Sequence, residues 1–155
     1  MSVQPVTAPD EMLRDATAAF QLDELELVEG WAEEDPSVRA RFGFPVTAAS
    51  GAASTSLVYF EIEPGKKLSP HTHTAEEILM VLDGTAHAIV GETSSTLRQG
   101  GVAVIPAMVL HNVENAGSSV LRAVGFFSAA GMVNSYEHLL MPMRTQVLVT
   151  PFPEQ

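Results

Sequence analysis

From residue 57 onward, apolar and polar residues alternate in short runs that are separated by turn residues. Successive side chains of a β-strand point to opposite faces, so a period of two predicts strands with one buried face. The turn signals recur at intervals typical of an antiparallel sandwich or barrel, and not of βαβ units. The predicted strands span residues 57–63, 68–73, 77–82, 85–90, 96–98, 102–105, 109–114 and 120–128.

The two ends of the chain carry other patterns. A start signal at Pro9-Asp10-Glu11, followed by spaced apolar residues, predicts a short amphipathic helix. Alternation predicts one strand before the barrel and a final strand after it. The predicted segments are a helix over 10–20, a strand over 25–31, a loop over 39–56 with one strand near 41–46, a short helix or flap over 131–141, and a strand over 144–150.

These elements divide the chain into three regions. Residues 1–48 are expected to form an acidic arm of helix and strand that packs on the barrel. Residues 49–130 are expected to form the barrel core. Residues 131–155 are expected to supply the helix or flap and the final strand.

Length and composition indicate one globular domain. The chain has 155 residues, of which 46% are hydrophobic and 17% charged, a composition that can bury one core. It has no cysteine, so any metal ion must be held by nitrogen and oxygen ligands. No basic region followed by an apolar one opens the chain, and no apolar stretch reaches about eighteen residues, so we expect a soluble protein of the cytoplasm.

Negative charge is concentrated near the N-terminus. The net charge is −11, and residues 1–35 hold ten acidic residues against the single Arg14. Nothing in this distribution would neutralise phosphate groups, so we expect neither nucleic acid nor a membrane as a partner. We interpret the acidic region as a solvated face that favours solubility.

Candidate chemistry lies between residues 65 and 84. His71 and His73 point to the same face of one predicted strand, and Glu77 has the same parity. Two imidazoles and a carboxylate can therefore converge on one point, with the apolar run 78–82 just behind them. Such a group of nitrogen and oxygen donors suits a divalent metal ion.

A second segment, residues 100–115, contains a short apolar strand, a proline turn and a further strand that opens with His111. Together the two segments resemble the paired signature of the cupin superfamily, over residues 57–127. The first motif (G, five residues, H, one residue, H, three or four residues, E, six residues, G) is matched at Gly65, His71, His73, Glu77 and Gly84. The second (G, five residues, P, one residue, G, two residues, H, three residues, N) is matched at Gly100, Pro106, His111 and Asn115. Met108 stands where the family usually has glycine, which leaves the shape of the turn before His111 open.

The resemblance implies a single-domain cupin of the small microbial "conserved barrel" type. Its fold would be all-β, a double-stranded β-helix or jelly-roll barrel, here with a short N-terminal helix. The implied ligands of one divalent transition metal ion per chain are His71, His73, Glu77 and His111. Fe or Mn is favoured, and Ni, Co, Zn or Cu are alternatives. A homodimer is also implied, because members of the family often pair through sheet edges and exchanged terminal strands.

Parity also identifies the walls of a small-molecule pocket. Apolar residues that share a face with the candidate ligands, or that lie on the inward face of the first barrel strand, should enclose the substrate. These residues are Phe60, Leu79, Val81 and Val113.

The remaining polar residues carry weaker signals. Glu77 and His138 are the candidates for moving a proton, and a surface position is the alternative for His138. Parity places Tyr59 on the outer face of its strand, and Arg122 is expected to make an outward salt bridge. The sequence shows no grouping of serine, histidine and aspartate that would indicate covalent catalysis.

These features favour a dioxygenase-like oxidoreductase that acts on a small, largely apolar organic compound, with substrate and dioxygen bound at the metal. One alternative is a metal-assisted isomerase, cyclase or lyase, in which the ion polarises a carbonyl and a side chain moves a proton. The other is a binding protein without turnover, since a fold alone does not determine function.

Overall fold

The computed structural model describes residues 4–13 and 19–154 of the chain. These residues form thirteen β-strands and three 3-10 turns, and they include no α-helix. The turns are Asp10–Met12, Leu22–Glu24 and Ala48–Ser50. The strands are β1 (Val6–Thr7), β2 (Val28–Ala32), β3 (Arg39–Val46), β4 (Ser56–Ile62), β5 (His71–His73), β6 (Glu77–Asp83), β7 (Ala86–Val90), β8 (Thr93–Leu97), β9 (Val102–Ile105), β10 (His111–Asn115), β11 (Leu121–Phe127), β12 (Met132–Met141) and β13 (Thr145–Thr150).

The strands follow one hydrogen-bonded order, β8-β7-β10-β5-β12-β2-β3-β4-β11-β6-β9, with β13 beside β12 and β1 beside β13. This sheet folds back on itself as a cupin-type β-barrel. Its two halves share one core, in which Ala88 of β7 and Val113 of β10 belong to the same cluster as Phe60 of β4 and Leu79 of β6. The all-β barrel expected from the sequence is confirmed.

Strand β4 shows how the hydrophobic pattern determines this arrangement. Val58, Phe60 and Ile62 alternate along the strand, and all three are buried in the barrel core. Burying such side chains is the main stabilising contribution, about 1.5–3 kcal/mol for each large apolar group. The alternating face therefore determines which side of β4 points inward.

The outer face of β4 differs from the prediction at Tyr59, which is completely buried. Its hydroxyl donates to Glu61 Oε2 at 2.7 Å and accepts from Arg122 Nε at 2.7 Å. Burial and the neighbouring carboxylate of Glu61 raise the pKa of Tyr59 to about 12. Arg122 does lie outward and near Glu61, but its main partner is the tyrosine that sequence parity had placed in solvent.

Two further predictions about the ends of the chain need correction. Residues 131–141 form neither a helix nor a flap, since β12 spans Met132–Met141 as a strand. The predicted helix over 10–20 is, in its described part, a single 3-10 turn, and residues 14–18 lie outside the described residues.

The strand predicted near 41–46 is confirmed. It begins two residues earlier, as β3 (Arg39–Val46), and it places Phe42 and Phe44 in the core.

The turn before His111 keeps a left-handed backbone although glycine is replaced there. Met108 has a φ of 63°, a conformation that costs a residue with a Cβ more than it costs glycine. Its amide donates to the carbonyl of His73 at 2.8 Å. The turn thus connects the strand that carries His73 directly to the strand that carries His111.

None of the helical segments in the described residues has the length and hydrophobicity that a membrane span requires.

We predict that Leu148→Ala lowers the free energy of unfolding by about 2–5 kcal/mol, because Leu148 is 0% exposed in the core and truncation leaves a cavity. Leu110→Ala is the matched control, because Leu110 is 56% exposed, and we expect a change within about 0.5 kcal/mol. Urea unfolding followed by circular dichroism measures both values. Similar losses for the two variants would contradict this description of the core.

Candidate metal centre

The four predicted ligands lie on three strands that the barrel brings together. His71 and His73 are on β5, Glu77 opens β6 and His111 opens β10. Strands β5 and β10 pair so that His71 and His111 are direct partners across the ladder. All four side chains are buried.

Their candidate ligand atoms converge on one point. One ring nitrogen from each of His71, His73 and His111 lies within 4.8 Å of the others. Oε1 of Glu77 lies 3.4 Å from Nε2 of His73 and 3.3 Å from Nε2 of His111. The structure therefore brings together all four residues that the sequence singled out.

The other ring nitrogen of each histidine is held by an oxygen acceptor. Nδ1 of His71 lies 2.6 Å from the carbonyl of Ser69, and Nδ1 of His111 lies 2.9 Å from the carbonyl of Val109. A carbonyl can only accept, so both rings donate an Nδ1 proton outward. In its neutral form, each of these two rings therefore directs an unprotonated Nε2 inward, as a metal ligand requires.

The third ring is oriented by Asn134 of β12. Nδ1 of His73 lies 2.5 Å from Oδ1 of Asn134, and Nδ2 of Asn134 donates to the carbonyl of Leu148 at 2.8 Å. Because that carbonyl accepts only, it fixes which end of the amide faces His73. No sequence signal indicated Asn134, since its strand was expected to be a helix or a flap.

The charges at this point call for a cation. Burial and the neighbouring rings of His73 and His111 lower the pKa of His71 well below its ordinary value, so this ring is neutral. Burial alone would raise the pKa of Glu77, but the contacts with His111 and His73 outweigh it and lower the pKa to about 2. Among the described residues, Nε2 of His111 is buried without a hydrogen-bond partner. A carboxylate that faces imidazole lone pairs is stable only if a proton or a metal ion lies between them, so the residues fit a divalent ion.

Gly125 of β11 gives the Glu77 side chain its space. A Cβ at this position would lie 2.0 Å from Oε2 of Glu77 and 3.0 Å from Cγ1 of Val58. Any larger residue would force the carboxylate to move. Glycine is thus needed here for close approach, although the position lies inside a strand.

A cavity of about 60 Å³ opens from the histidines. At about 10–15 Å³ for each water, it holds roughly four to six waters or a small organic ligand. Predicted pocket residues Phe60, Leu79 and Val113 line this cavity, whereas Val81 does not. Val81 is one inward position further along β6, where its side chain is buried in the core cluster instead.

Several cavity residues were missed or underrated by the sequence analysis. Phe42 and Phe44 lie in the strand predicted near 41–46, but their alternation with Ala40 was not used to place them in the cavity wall. Tyr136 comes from β12. Its ring stacks on His71, with centroids 5.2 Å apart, and burial raises its pKa, so its hydroxyl stays protonated.

His138, a candidate for proton transfer, does not line the cavity. Its Nδ1 lies 2.8 Å from Oγ of Ser69, and its Nε2 lies 4.0 Å from Oδ2 of Asp35. Ser69 does line the cavity. The sequence analysis found no grouping of serine, histidine and aspartate, because these three residues come from segments that only the fold brings together.

Comparison with known proteins identifies the fold family. The family model described as "Cupin domain" matches residues 58–127. A search of curated proteins finds no match. Among solved structures, oxalate decarboxylase of Lactobacillus farciminis superposes with a TM-score of 0.64 at 21% identity, over 76% of this chain and 35% of that chain. The present chain therefore spans about a third of the decarboxylase.

Two smaller proteins superpose over more of their own length. A sugar phosphate isomerase from a cupin superfamily, from Silicibacter pomeroyi, has a TM-score of 0.62 at 18% identity, over 77% of this chain and 81% of that chain. A cupin-like protein from Thermotoga maritima has a TM-score of 0.53 at 26% identity, over 59% of this chain and 69% of that chain. The decarboxylase and the isomerase have different activities, so the likeness concerns the fold. With both motifs present, the barrel formed and the domain matched over residues 58–127, the chain belongs to the cupin superfamily as a small cupin-domain protein.

Proposed function

We propose that this protein is a metal-dependent, dioxygenase-like oxidoreductase that acts on a small, largely apolar organic compound. The observation that carries the proposal is that three histidines and Glu77 converge at the wall of a mainly apolar cavity. Such a pocket binds a ligand by its apolar body and orients it through one polar group.

His71, His73, His111 and Glu77 would hold the ion. This set of three nitrogens and one oxygen, without thiolate, suits Fe or Mn and also fits Ni, Co, Zn or Cu. When bound, such an ion supplies open positions for substrate and dioxygen together with redox chemistry. The chain itself keeps Glu77 anionic and His71 neutral, as ligation requires.

The cavity walls favour a compound with little charge. Aromatic and aliphatic side chains surround the space, and Tyr136 contributes a protonated hydroxyl that can donate a hydrogen bond to substrate. Two basic residues reach the lining, but Arg39 pairs with Glu29 and Lys67 lies 3.6 Å from Asp35. Because both cations are already paired, the structure favours an apolar substrate over a phosphorylated one.

A second candidate is a metal-assisted isomerase, cyclase or lyase. The hydroxyl of Tyr136 favours it, since a protonated group beside the ligand site can move a proton in a reaction without dioxygen. Structures that resemble this chain are named a decarboxylase and a sugar phosphate isomerase, so the fold accommodates such chemistry. A protein that binds its ligand without turnover is the remaining alternative.

The outer surface supports a proposal that two copies associate. Phe126 of β11, Ile78 of β6 and Val104 of β9 are cross-strand neighbours, and all three are exposed. The hydrogen-bonded order of strands ends at β9, an edge strand with apolar side chains. The strand at the opposite edge, β8, exposes serine and threonine. An apolar row that runs to an open edge suits a second copy of the chain, placed about a two-fold axis.

The metal site predicts that Gly125→Ala weakens binding of Mn²⁺ at least about tenfold, because the added methyl group displaces Glu77 while the histidines stay in place. Titration calorimetry on metal-free protein measures the effect. Gly43→Ala is the control, since its Cβ would only touch Leu27 Cδ2 at 3.6 Å. Glu77→Gln should weaken binding similarly without any steric change, and unaltered affinity in both site variants would refute the ligand assignment.

The oxidoreductase proposal predicts oxygen uptake by Fe-loaded protein with at least one compound from a panel of diketones, catechols and flavonols. Uptake should disappear after chelation, return with Fe or Mn, and be lost in His73→Ala. An oxygen electrode measures it directly. Turnover that proceeds without oxygen and with Zn or Ni would instead favour the isomerase or lyase, and metal binding without any turnover would favour the binding protein.

The association proposal predicts a dimer by size-exclusion chromatography with light scattering. Val104→Glu should shift the protein to monomer, because it places a charge in the apolar row. Ser95→Glu on the exposed strand β8 is the matched control and should leave the dimer intact. A monomeric wild type at all concentrations would exclude this interface.

A further inference from the structure

Strand β12 supports the histidine-bearing segment through three successive inward pairs. The register places Asn134 opposite His73 and Tyr136 opposite His71. The ladder continues past Pro70, whose carbonyl accepts from the amide of Glu137 at 2.9 Å. The next inward pair is Ser69 with His138, which extends the polar row from the metal site toward the surface.

The contacts of Ser69 allow its hydroxyl to donate to His138. The hydroxyl is buried, and its oxygen accepts from the backbone N–H of His138 at 3.1 Å. Two acceptors lie within reach of its proton, Nδ1 of His138 at 2.8 Å and the carbonyl of Pro70 at 3.4 Å. The shorter contact favours donation to Nδ1. In that arrangement the imidazole carries its own proton on Nε2.

The other side of this imidazole faces solvent through Asp35. Nε2 of His138 lies 4.0 Å from Oδ2 of Asp35, a gap that one water or a small side-chain movement can bridge. The Asp35 side chain is 31% exposed, and it also contacts Lys67 and accepts from Ser37. A continuous polar path thus runs from the cavity wall to the surface between β2 and β3.

We propose that Ser69, His138 and Asp35 form a proton-transfer route between the cavity and solvent. The proposal rests on the proposed function only in that a reaction in the cavity must release or take up a proton. A proton donor in the cavity gives a proton to Ser69 Oγ, while Ser69 passes its own proton to His138 Nδ1. His138 passes its Nε2 proton to Asp35 or to solvent, which leaves the ring protonated on Nδ1. Rotation of the ring then exposes Nδ1, and proton exchange with water restores the Nε2–H tautomer without returning a proton to the cavity. Each residue is left neutral or anionic as it began, so the transfer balances.

An asparagine or glutamine side chain could hold β12 against this segment by the same hydrogen bond to Ser69. The presence of an imidazole at position 138 is therefore informative. Imidazole is the side chain that accepts at one nitrogen and donates at the other near neutral pH. His138 acts through Ser69 and is therefore a positioning residue for proton movement. It does not itself touch the ligand.

The first test is the tautomer of His138, measured by long-range ¹H–¹⁵N NMR of the full chain at a pH of about 8, above the ordinary imidazole pKa of about 6.5. We expect a proton on Nε2, and a shift of the Nδ1 resonance in Ser69→Ala but not in Ser69→Thr, which keeps the hydroxyl. His87 is the internal control, because it lies 3.4 Å from Glu114 on another strand pair. A proton on Nδ1 of His138, or no response to Ser69→Ala, would overturn the route whether or not the protein is an enzyme.

The second test uses any compound that the protein turns over. His138→Gln should lower kcat at least about tenfold with KM changed less than twofold, and added imidazole should restore part of the rate. His87→Gln should change neither constant. If His138→Gln shows the same pH profile and solvent isotope effect as the wild type, the route is refuted and the oxidoreductase proposal still stands. Absence of turnover in the whole panel would count against the proposed function, and the NMR result would then decide the route.

Discussion

A buried carboxylate that faces three imidazole nitrogens is the constraint on which the rest of the structure depends. Removing such groups from water costs several kcal/mol for each charge unless an opposite charge compensates. Glu77 is buried and keeps a low pKa beside His73 and His111, so the protein has assembled a site that a cation stabilises. The barrel supplies the energy for this arrangement, since apolar core residues follow the ligands on β6 and β10, namely Leu79, Val81 and Val113.

The register of the strands determines where the ligand side chains lie. His71 and His73 share a face of β5, and a slip of one residue would turn both rings outward. The orientation of each ring is then fixed by a single acceptor, which is a carbonyl for His71 and His111 and the amide of Asn134 for His73. Gly125 leaves the space into which the carboxylate fits. Two of the three rings are therefore oriented by backbone carbonyls, which most substitutions leave unchanged, and the third ring depends on the side chain of Asn134.

The barrel and the four converging side chains could be predicted because they depend on local periodicity and fixed spacing. Tyr59 could not be placed, since its hydroxyl bonds on the outer face to Glu61 of the same strand and to Arg122 of the neighbouring strand β11. β12 was misread because its run of mixed polar and apolar residues has no clear period, and its strand form arises from pairing with β5 and β13. Val81 has the correct parity, but parity gives the face of a strand and not the depth along it. Sequence patterns do not show which residue of the neighbouring strand each side chain will contact.

The Asn134 amide links two parts of the chain that are far apart in sequence. It connects the imidazole of His73 to the carbonyl of Leu148 on β13, the strand beside which β1 also pairs. If β13 detaches, the amide loses the partner that fixes its orientation, and His73 loses its alignment. Docking of the last strand and binding of an ion by these residues would consequently be coupled equilibria, and each would strengthen the other by the same free energy. The C-terminal segment would thus stabilise the candidate metal centre from a distance, without contributing a ligand.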